Sequence, residues 1–205
     1  MTKEMARLKL GDVASVRSGL VLSRKLSKMP TKYRYKLINL RSINQVGYIE
    51  TENVDLYDAI EPLSSEYLTH TGDVVIRLTA PYTAVLIDDT TSGMVISSNM
   101  VVIRTDASRI LPEYLYWLLN TPKVKRQIYE NTSSNMLGAV KPRYFADFEV
   151  SLLSIGNQKK IAELNLLAHR EYQLLNKLAL EKEKYYFNMI NEIQKQMRRG
   201  IDHDD

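Results

Sequence analysis

The chain has 205 residues, of which 44% are apolar and 25% charged, and its formal net charge is +4 at pH 7. No apolar run approaches the roughly 18 residues of a membrane span, and the first residues lack the apolar centre of a secretory signal, so we expect a cytoplasmic protein without membrane contact. The absence of cysteine excludes disulfides, thiolate zinc sites and cysteine nucleophiles.

The first distinctive segment in chain order is a basic window. Residues 13–49 contain eight Lys or Arg and no Asp or Glu, and their centre reads SRKLSKMPTKYRYK (residues 23–36). Such a run is often only a solvated surface, but cations without neighbouring acids favour a phosphate surface. In an extended segment, the alternation through residues 33–36 would place tyrosine rings on one face and cations on the other. We interpret this window as a contact for DNA. The residues predicted to contact its phosphates are Arg24, Lys25, Lys28, Lys32, Arg34 and Lys36, and Tyr33 or Tyr35 is predicted to lie near the DNA groove.

The next segment is acidic. Residues 50–73 contain seven Asp or Glu and no Lys or Arg. Because the two kinds of charge are separated along the chain, we expect the globular part to have a positive side and a negative side.

Short elements fill the chain as far as Gly156. Runs rich in Val and Ile, bounded by Gly, Pro, Asp or Ser, predict strands. These strands are expected at residues 35–41, 72–79, 83–88, 94–105 and 148–153. Prolines suited to the first turn predict short helices at residues 111–120, 121–131 and 141–148. The fold class is therefore α+β, with a twisted, largely antiparallel or mixed sheet.

A second polar and basic loop, TSSNMLGAVKPRY, occupies residues 132–144. Asn135 can present a donor and an acceptor to adenine, and Arg143 can present a fork to guanine or phosphate. The competing interpretation is a simple helix-to-helix connection in which Asn135 and Gly138 serve the turn. The loop residues predicted to approach DNA are Asn135, Lys141, Arg143 and Tyr144.

A long helix is predicted at residues 157–199, which contain neither Gly nor Pro and lie between Gly156 and Gly200. At 1.5 Å per residue it would be about 65 Å long, more than one small domain can cover. Its apolar residues suit packing against another long helix in a short or irregular coiled coil. That seam consists of Leu167, Leu174, Leu178, Tyr185, Met189 and Ile193. The predicted organisation is a globular domain at 1–156, a spacer and dimerisation helix at 157–199, and an acidic disordered tail at 200–205.

Catalytic and cofactor motifs are absent from the sequence. It has no phosphate-binding Gly-rich loop, no dinucleotide fingerprint and no His-Glu-x-x-His zinc motif. The three histidines are scattered, and the Asp-rich tail is more typical of a solvated end than of a metal site. The sequence therefore favours a binding protein that holds no cofactor or metal of its own.

The order of several short segments resembles one half of a type I restriction-modification DNA specificity subunit. These segments are LKLGDVASVRSG (8–19), GDVVIRLT (72–79), SSNMVVIR (97–104), LPEYLYWLLNT (111–121) and FADFEVSLLSIGNQKKIAEL (145–164). The most specific part is the start of the long helix, where Gln158, Lys159, Ile161 and Ala162 match the family pattern. Asn157 stands where Glu is common, and the preceding turn lacks the usual proline.

The resemblance implies a target recognition domain that reads a few base pairs of double-stranded DNA in the major groove, and a helical spacer that docks adenine methyltransferase subunits. Family members carry two such domains joined by two antiparallel helices and read a bipartite site. With one domain and one helix, this chain is expected to pair with a second copy as a homodimer, or with a different half. It is then a non-catalytic subunit: S-adenosylmethionine belongs to the methyltransferase, and ATP and Mg²⁺ to complexes that include a restriction subunit.

Two other functions fit the same residues. A free-standing dimeric DNA-binding repressor would bind its site without a methyltransferase. A coiled-coil adaptor, in which the helix alone contacts other proteins, would show no salt-dependent affinity for DNA.

Overall fold

The computed structural model describes residues 7–132 and 139–201 and has the predicted α+β fold with a long helix at its end. It divides into two units, Met1–Glu163 and Leu164–Asp205. Among the described residues, no helix is both long and apolar enough to cross a membrane. The predicted acidic tail lies mostly outside the described residues.

Within the described residues, nine short strands form three sheets. They are β1 (Arg7–Lys9), β2 (Ala14–Ser18), β3 (Arg34–Ile38), β4 (Asp55–Asp58), β5 (Val74–Arg77), β6 (Ala84–Leu86), β7 (Val95–Ile96), β8 (Met100–Thr105) and β9 (Glu149–Ser151). The largest sheet has the order β2-β8-β5-β6 and is antiparallel throughout. A second sheet has the order β4-β3-β7, in which β3 runs antiparallel to β4 and parallel to β7. Strands β1 and β9 pair antiparallel as a separate ribbon.

The three short helices begin where the prolines predicted, and a long helix follows them. They are α1 (Pro112–Asn120), α2 (Pro122–Thr132), α3 (Pro142–Asp147) and α4 (Ile155–Ile201). Proline suits the first helical turn because its fixed φ is already helical and the amide it lacks would have no partner there.

The four-stranded sheet is buried on both faces. Along β5, Val74 and Ile76 pack in a cluster with α1, α2 and α3, whereas Val75 packs in a second cluster on the opposite face. Successive side chains of a strand point to opposite faces, so a strand covered on both sides needs an unbroken apolar run. A third cluster, which includes Leu37 and Tyr57, supports the three-stranded sheet.

A buried ion pair joins β5 to the central strand β8. Arg104 donates from Nε and Nη2 to the two carboxylate oxygens of Asp73, at 2.7 and 2.8 Å. The amide of His70 also donates to this carboxylate at 2.8 Å. Asp73 is only 1% exposed, so its charge depends on these protein donors.

Gln158 attaches the first turns of α4 to the globular unit. Its side-chain oxygen accepts from the amide of Leu111 at 2.9 Å, and its side-chain nitrogen donates to the carbonyls of Arg109 and Leu153 at 3.0 and 2.9 Å. Ala162, one turn later, is also buried. The residue that carried part of the family resemblance therefore has a structural role at the start of α1.

The ends of the long helix differ from the prediction. Gly156 and Gly200, predicted as stops, both lie inside α4. At the first of them, the amides of Asn157 and Gln158 already donate to the carbonyl of Ser154 at 2.9 Å. Glycine in a helix costs only about 1 kcal/mol relative to alanine, which the hydrogen bonding and packing of the surrounding turns can offset.

Candidate nucleic-acid interface

The centre of the basic window forms a segment, residues 22–36, that we call the arm. The arm lies beside the end of β4. The amide of Ser27 donates to the carbonyl of Asp58 at 2.8 Å, and the amide of Ile60 donates to the carbonyl of Lys25 at 2.9 Å. Leu26 also forms an isolated antiparallel bridge with Ala59. The arm then continues into β3, so it is fixed to the sheet at both of its ends.

The predicted alternation of rings and cations along the arm is present. Lys32, Arg34 and Lys36 are exposed, whereas Tyr33 and Tyr35 are half-buried against the third cluster. The Tyr35 hydroxyl accepts a hydrogen bond from the amide of Leu63 at 3.1 Å. The two rings therefore support the protein's own core, and the cations form the outer face.

Arg34 is committed to an acid on the neighbouring strand. It lies opposite Asp58 in the β3–β4 register and donates from Nε and Nη2 to both carboxylate oxygens, at 2.9 and 3.1 Å. The amide of Thr31 donates to the same carboxylate at 3.0 Å. The Arg34 guanidinium, and after it the Thr31 amide, hold the pKa of Asp58 below its ordinary value.

Two further cations of the window are paired with acids. Lys25 forms an ion pair with Glu61, and Arg41 forms one with Asp55. The expectation of separate positive and negative sides is therefore wrong here. The charges mix because β3 pairs antiparallel with β4, which brings the acidic segment beside the basic one.

Four cations of the arm remain available to an external anion. Within residues 7–132 and 139–201, no carboxylate forms an ion pair with Arg24, Lys28, Lys32 or Lys36. Lys32 instead places its Nζ 5.0 Å from the centre of the Tyr33 ring. All four side chains are exposed, so the usable positive charge is smaller than the sequence count but lies on one ordered segment.

Apolar side chains are exposed beside these cations. Met29, near the middle of the arm, is 76% exposed. Leu26, Leu56 and Ile60 are also more than half exposed. Sequence reasoning missed this group. The available signal was a methionine and a proline inside a run of lysines, in a segment too polar to form a core strand.

The second predicted loop is only partly described, since Asn135 lies outside the described residues. Lys141 and Arg143 are exposed at the start of α3, and Arg143 Nε lies 3.3 Å from Asp147 Oδ2. The Tyr144 ring packs against the core with its centroid 5.4 Å from that of Phe145, and burial raises its pKa. The two cations therefore form the accessible part of this segment.

These two segments rest on different parts of the fold. The arm belongs to the three-stranded sheet and the third cluster, whereas α3 packs against β2 and the first cluster. We treat them as two separate candidate contacts.

Helix α2 presents a further basic surface that the sequence analysis did not select. Lys123, Arg126 and Gln127 line an open groove together with Pro122 and the acidic Glu130. Lys125 is half-buried without an acidic partner among the described residues, and burial lowers its pKa. The signal was the spacing of Lys and Arg on the face opposite the buried Val and Ile of this helix.

Within the second unit, the predicted seam of α4 is exposed. The side chains of Leu167, Leu174, Leu178, Tyr185, Met189 and Ile193 are 40 to 67% exposed. Neighbouring apolar residues such as Leu175, Phe187 and Ile190 are exposed as well. So large an uncovered apolar surface on one helix is typical of a segment that packs against a partner.

Comparison with known proteins gives a family match and several similar folds. The family model of the type I restriction modification DNA specificity domain matches residues 2–164. In a search of curated proteins, no sequence matches this chain.

Solved structures share the fold at low sequence identity. One, from work on complex assembly and conformational transition of the type I R-M system, is 19% identical with a TM-score of 0.62 and covers 87% of this chain and 45% of that chain. The crystal structure of the HsdS subunit from Thermoanaerobacter tengcongensis is 18% identical with a TM-score of 0.62, and the coverage is 82% and 43%. The S subunit of the type I system from M. genitalium is 13% identical with a TM-score of 0.53, and the coverage is 84% and 41%. The chain thus spans less than half the length of each of these proteins.

Proposed function

The chain belongs to the family of type I restriction modification DNA specificity domains, and on that premise we propose that it is the non-catalytic DNA-recognition subunit of an adenine methyltransferase complex. In this proposal the globular unit reads double-stranded DNA and α4 joins the recognition domain to its partners.

The observation that carries the proposal is the ordered arm with its unpaired cations. Arg24, Lys28, Lys32 and Lys36 contact DNA phosphates, because their charges are exposed and no carboxylate in the described part of the chain pairs with them. Lys25 and Arg34, which we first expected to contact phosphates, hold the arm in shape through their ion pairs. Such phosphate contacts position a protein on the duplex without reading its sequence.

A second contact is proposed at the start of α3. Lys141 and Arg143 approach the duplex there together with the adjoining polar loop, which includes the predicted reader Asn135. Tyr144 supports this segment by packing its ring against the core residues Phe145 and Phe148. Sequence reading would then fall to this segment, while the cations of the arm position the protein on the duplex.

Pairing through α4 completes the proposed subunit. The 47 residues of this helix span about 70 Å, and the exposed seam needs a partner of similar length. A second copy packed antiparallel satisfies this need, and a two-fold axis then relates two recognition domains. A homodimer would read a palindromic interrupted site, and a different half would make the site asymmetric.

Catalysis is assigned to other subunits in this proposal. The adenine methyltransferase subunits bind S-adenosylmethionine, and a restriction subunit, where present, uses ATP and Mg²⁺. This chain determines which DNA site the methyltransferase modifies.

The test is a genome-wide map of N6-methyladenine in the source cell, with the gene intact, deleted and replaced by variants. We expect deletion to remove methylation at one interrupted motif, and the Lys28→Gln/Lys36→Gln variant to reduce it. Lys159→Gln is the matched control, since Lys159 is an exposed lysine of the globular unit that lies outside the arm and outside the α4 seam. A palindromic motif supports the homodimer.

An unchanged map in cells that express the protein would contradict the proposal. Tight binding of one duplex site without a methyltransferase would then identify a repressor. Absence of any salt-dependent DNA binding would identify a helical adaptor.

A further inference from the structure

We name residues 27–31, in the middle of the arm, the arm tip. The arm tip presents an apolar side chain between cations. Met29 is the most exposed large apolar residue in the described part of the globular unit, at 76%. Lys28 precedes it, and Lys32 follows just beyond the tip; both are exposed and without an acidic partner among the described residues. A methionine so exposed contributes little to the protein's own core. Its side chain is therefore available for contact with another molecule.

The arm tip is held in one conformation by its own hydrogen bonds. The Ser27 hydroxyl donates to the carbonyl of Met29 at 2.7 Å and accepts from its amide at 3.2 Å. On the other side, the Thr31 hydroxyl donates to the carbonyl of Ala59 at 2.8 Å. The residue between them is thus presented by a fixed backbone, which lowers the entropy lost on binding.

Charge and shape together identify the surface that the tip fits. Unpaired cations on both sides of Met29 favour a polyanion over an apolar protein surface, which would leave those charges desolvated. The major groove is about 12 Å wide and admits an α-helix or a two-stranded ribbon, so a tip of five residues can enter it. The thymine C5-methyl is the apolar group that base-pair edges display there.

We propose that Met29 contacts the C5-methyl group of a thymine in the major groove, so that the arm reads a base besides anchoring phosphates. This inference rests on the proposed function, because it requires that the globular unit binds a specific duplex. It adds a direct sequence-reading residue to a segment whose other side chains contact only the backbone.

The test uses the full chain in complex with its methyltransferase and a duplex that carries the methylated motif. Each thymine of the motif is replaced in turn by deoxyuridine, which removes only the C5-methyl group. At one position this change should weaken binding about fourfold, the effect of losing one buried methyl contact. Met29→Ala should weaken binding of the thymine duplex to a similar extent and abolish the difference between thymine and deoxyuridine at that position. Met29→Leu, which keeps an apolar side chain, should retain the difference.

Several outcomes would overturn the assignment. It is wrong if no thymine position is sensitive, or if Met29→Ala loses affinity while the sensitivity to deoxyuridine persists. The last outcome would place the tip against the DNA backbone or against a protein partner. Absence of specific binding by the wild-type complex would instead refute the proposed function itself.

Discussion

The division of the arm into paired and unpaired cations makes a quantitative prediction about salt dependence. Lys28→Gln/Lys36→Gln removes two unpaired charges. Arg34→Gln/Asp58→Asn removes one ion pair and leaves the net charge unchanged. If only unpaired cations contact phosphates, the first double variant should change the salt dependence of DNA binding and the second should not.

The magnitude follows from counterion release. Each phosphate contact contributes about −0.9 to the slope of log K against log salt concentration, so the four unpaired cations should contribute about −3.6. Loss of two contacts should make the slope less steep by about 1.8. Between 50 and 200 mM salt, the affinity of that variant should therefore fall about 12-fold less than the affinity of the wild type.

The assay is fluorescence anisotropy with one labelled duplex, measured over this salt range for the wild type and both variants. An equal change of slope in the two variants would refute the assignment of Arg34 to Asp58. An unchanged slope in the Lys28→Gln/Lys36→Gln variant would show that the arm is a solvated surface.

Three further predictions concern the framework around the site. Arg104→Ala should lower the free energy of unfolding by about 3 kcal/mol in urea denaturation, because buried Asp73 loses its main partner; an unchanged midpoint would contradict this. Gln158→Ala should cost about 2–4 kcal/mol by the same measurement, since three backbone groups lose their partner, whereas exposed Lys159→Ala should be neutral. Leu174→Lys/Leu178→Lys should abolish self-association in sedimentation experiments, and persistence of a dimer would exclude this seam as the interface.

Much of the fold follows from local chemistry. Strands β5 and β8 consist largely of Val, Ile and Met because the sheet is buried on both faces, and such runs are visible without a structure. Strand β4 was missed because its sequence, Asp-Leu-Tyr-Asp, has little intrinsic preference for a strand. Its conformation depends on the ladder with β3 and on the buried Tyr57.

The site was less predictable than the fold because charge depends on register. A sequence shows that Arg34 and Asp58 belong to segments of opposite sign, and only the strand pairing shows that they lie opposite each other. Shifting this ladder by one residue would turn the two side chains to different faces. The count of basic residues therefore overestimated the unpaired charge that this segment presents to solvent.

The ion pairs of the arm are consistent with selective reading rather than with tight non-specific binding. A segment with six free cations would bind any duplex through its phosphates. Here the Asp58 carboxylate accepts from Arg34 and from the Thr31 amide, and its backbone carbonyl accepts from Ser27, so this one residue fixes both ends of the arm tip. Each paired cation lowers the non-specific attraction, while each of these bonds holds Met29 in a defined position. Specificity is a difference between affinities, so the proposed function predicts that the acid that lowers general binding also strengthens the discrimination between sites.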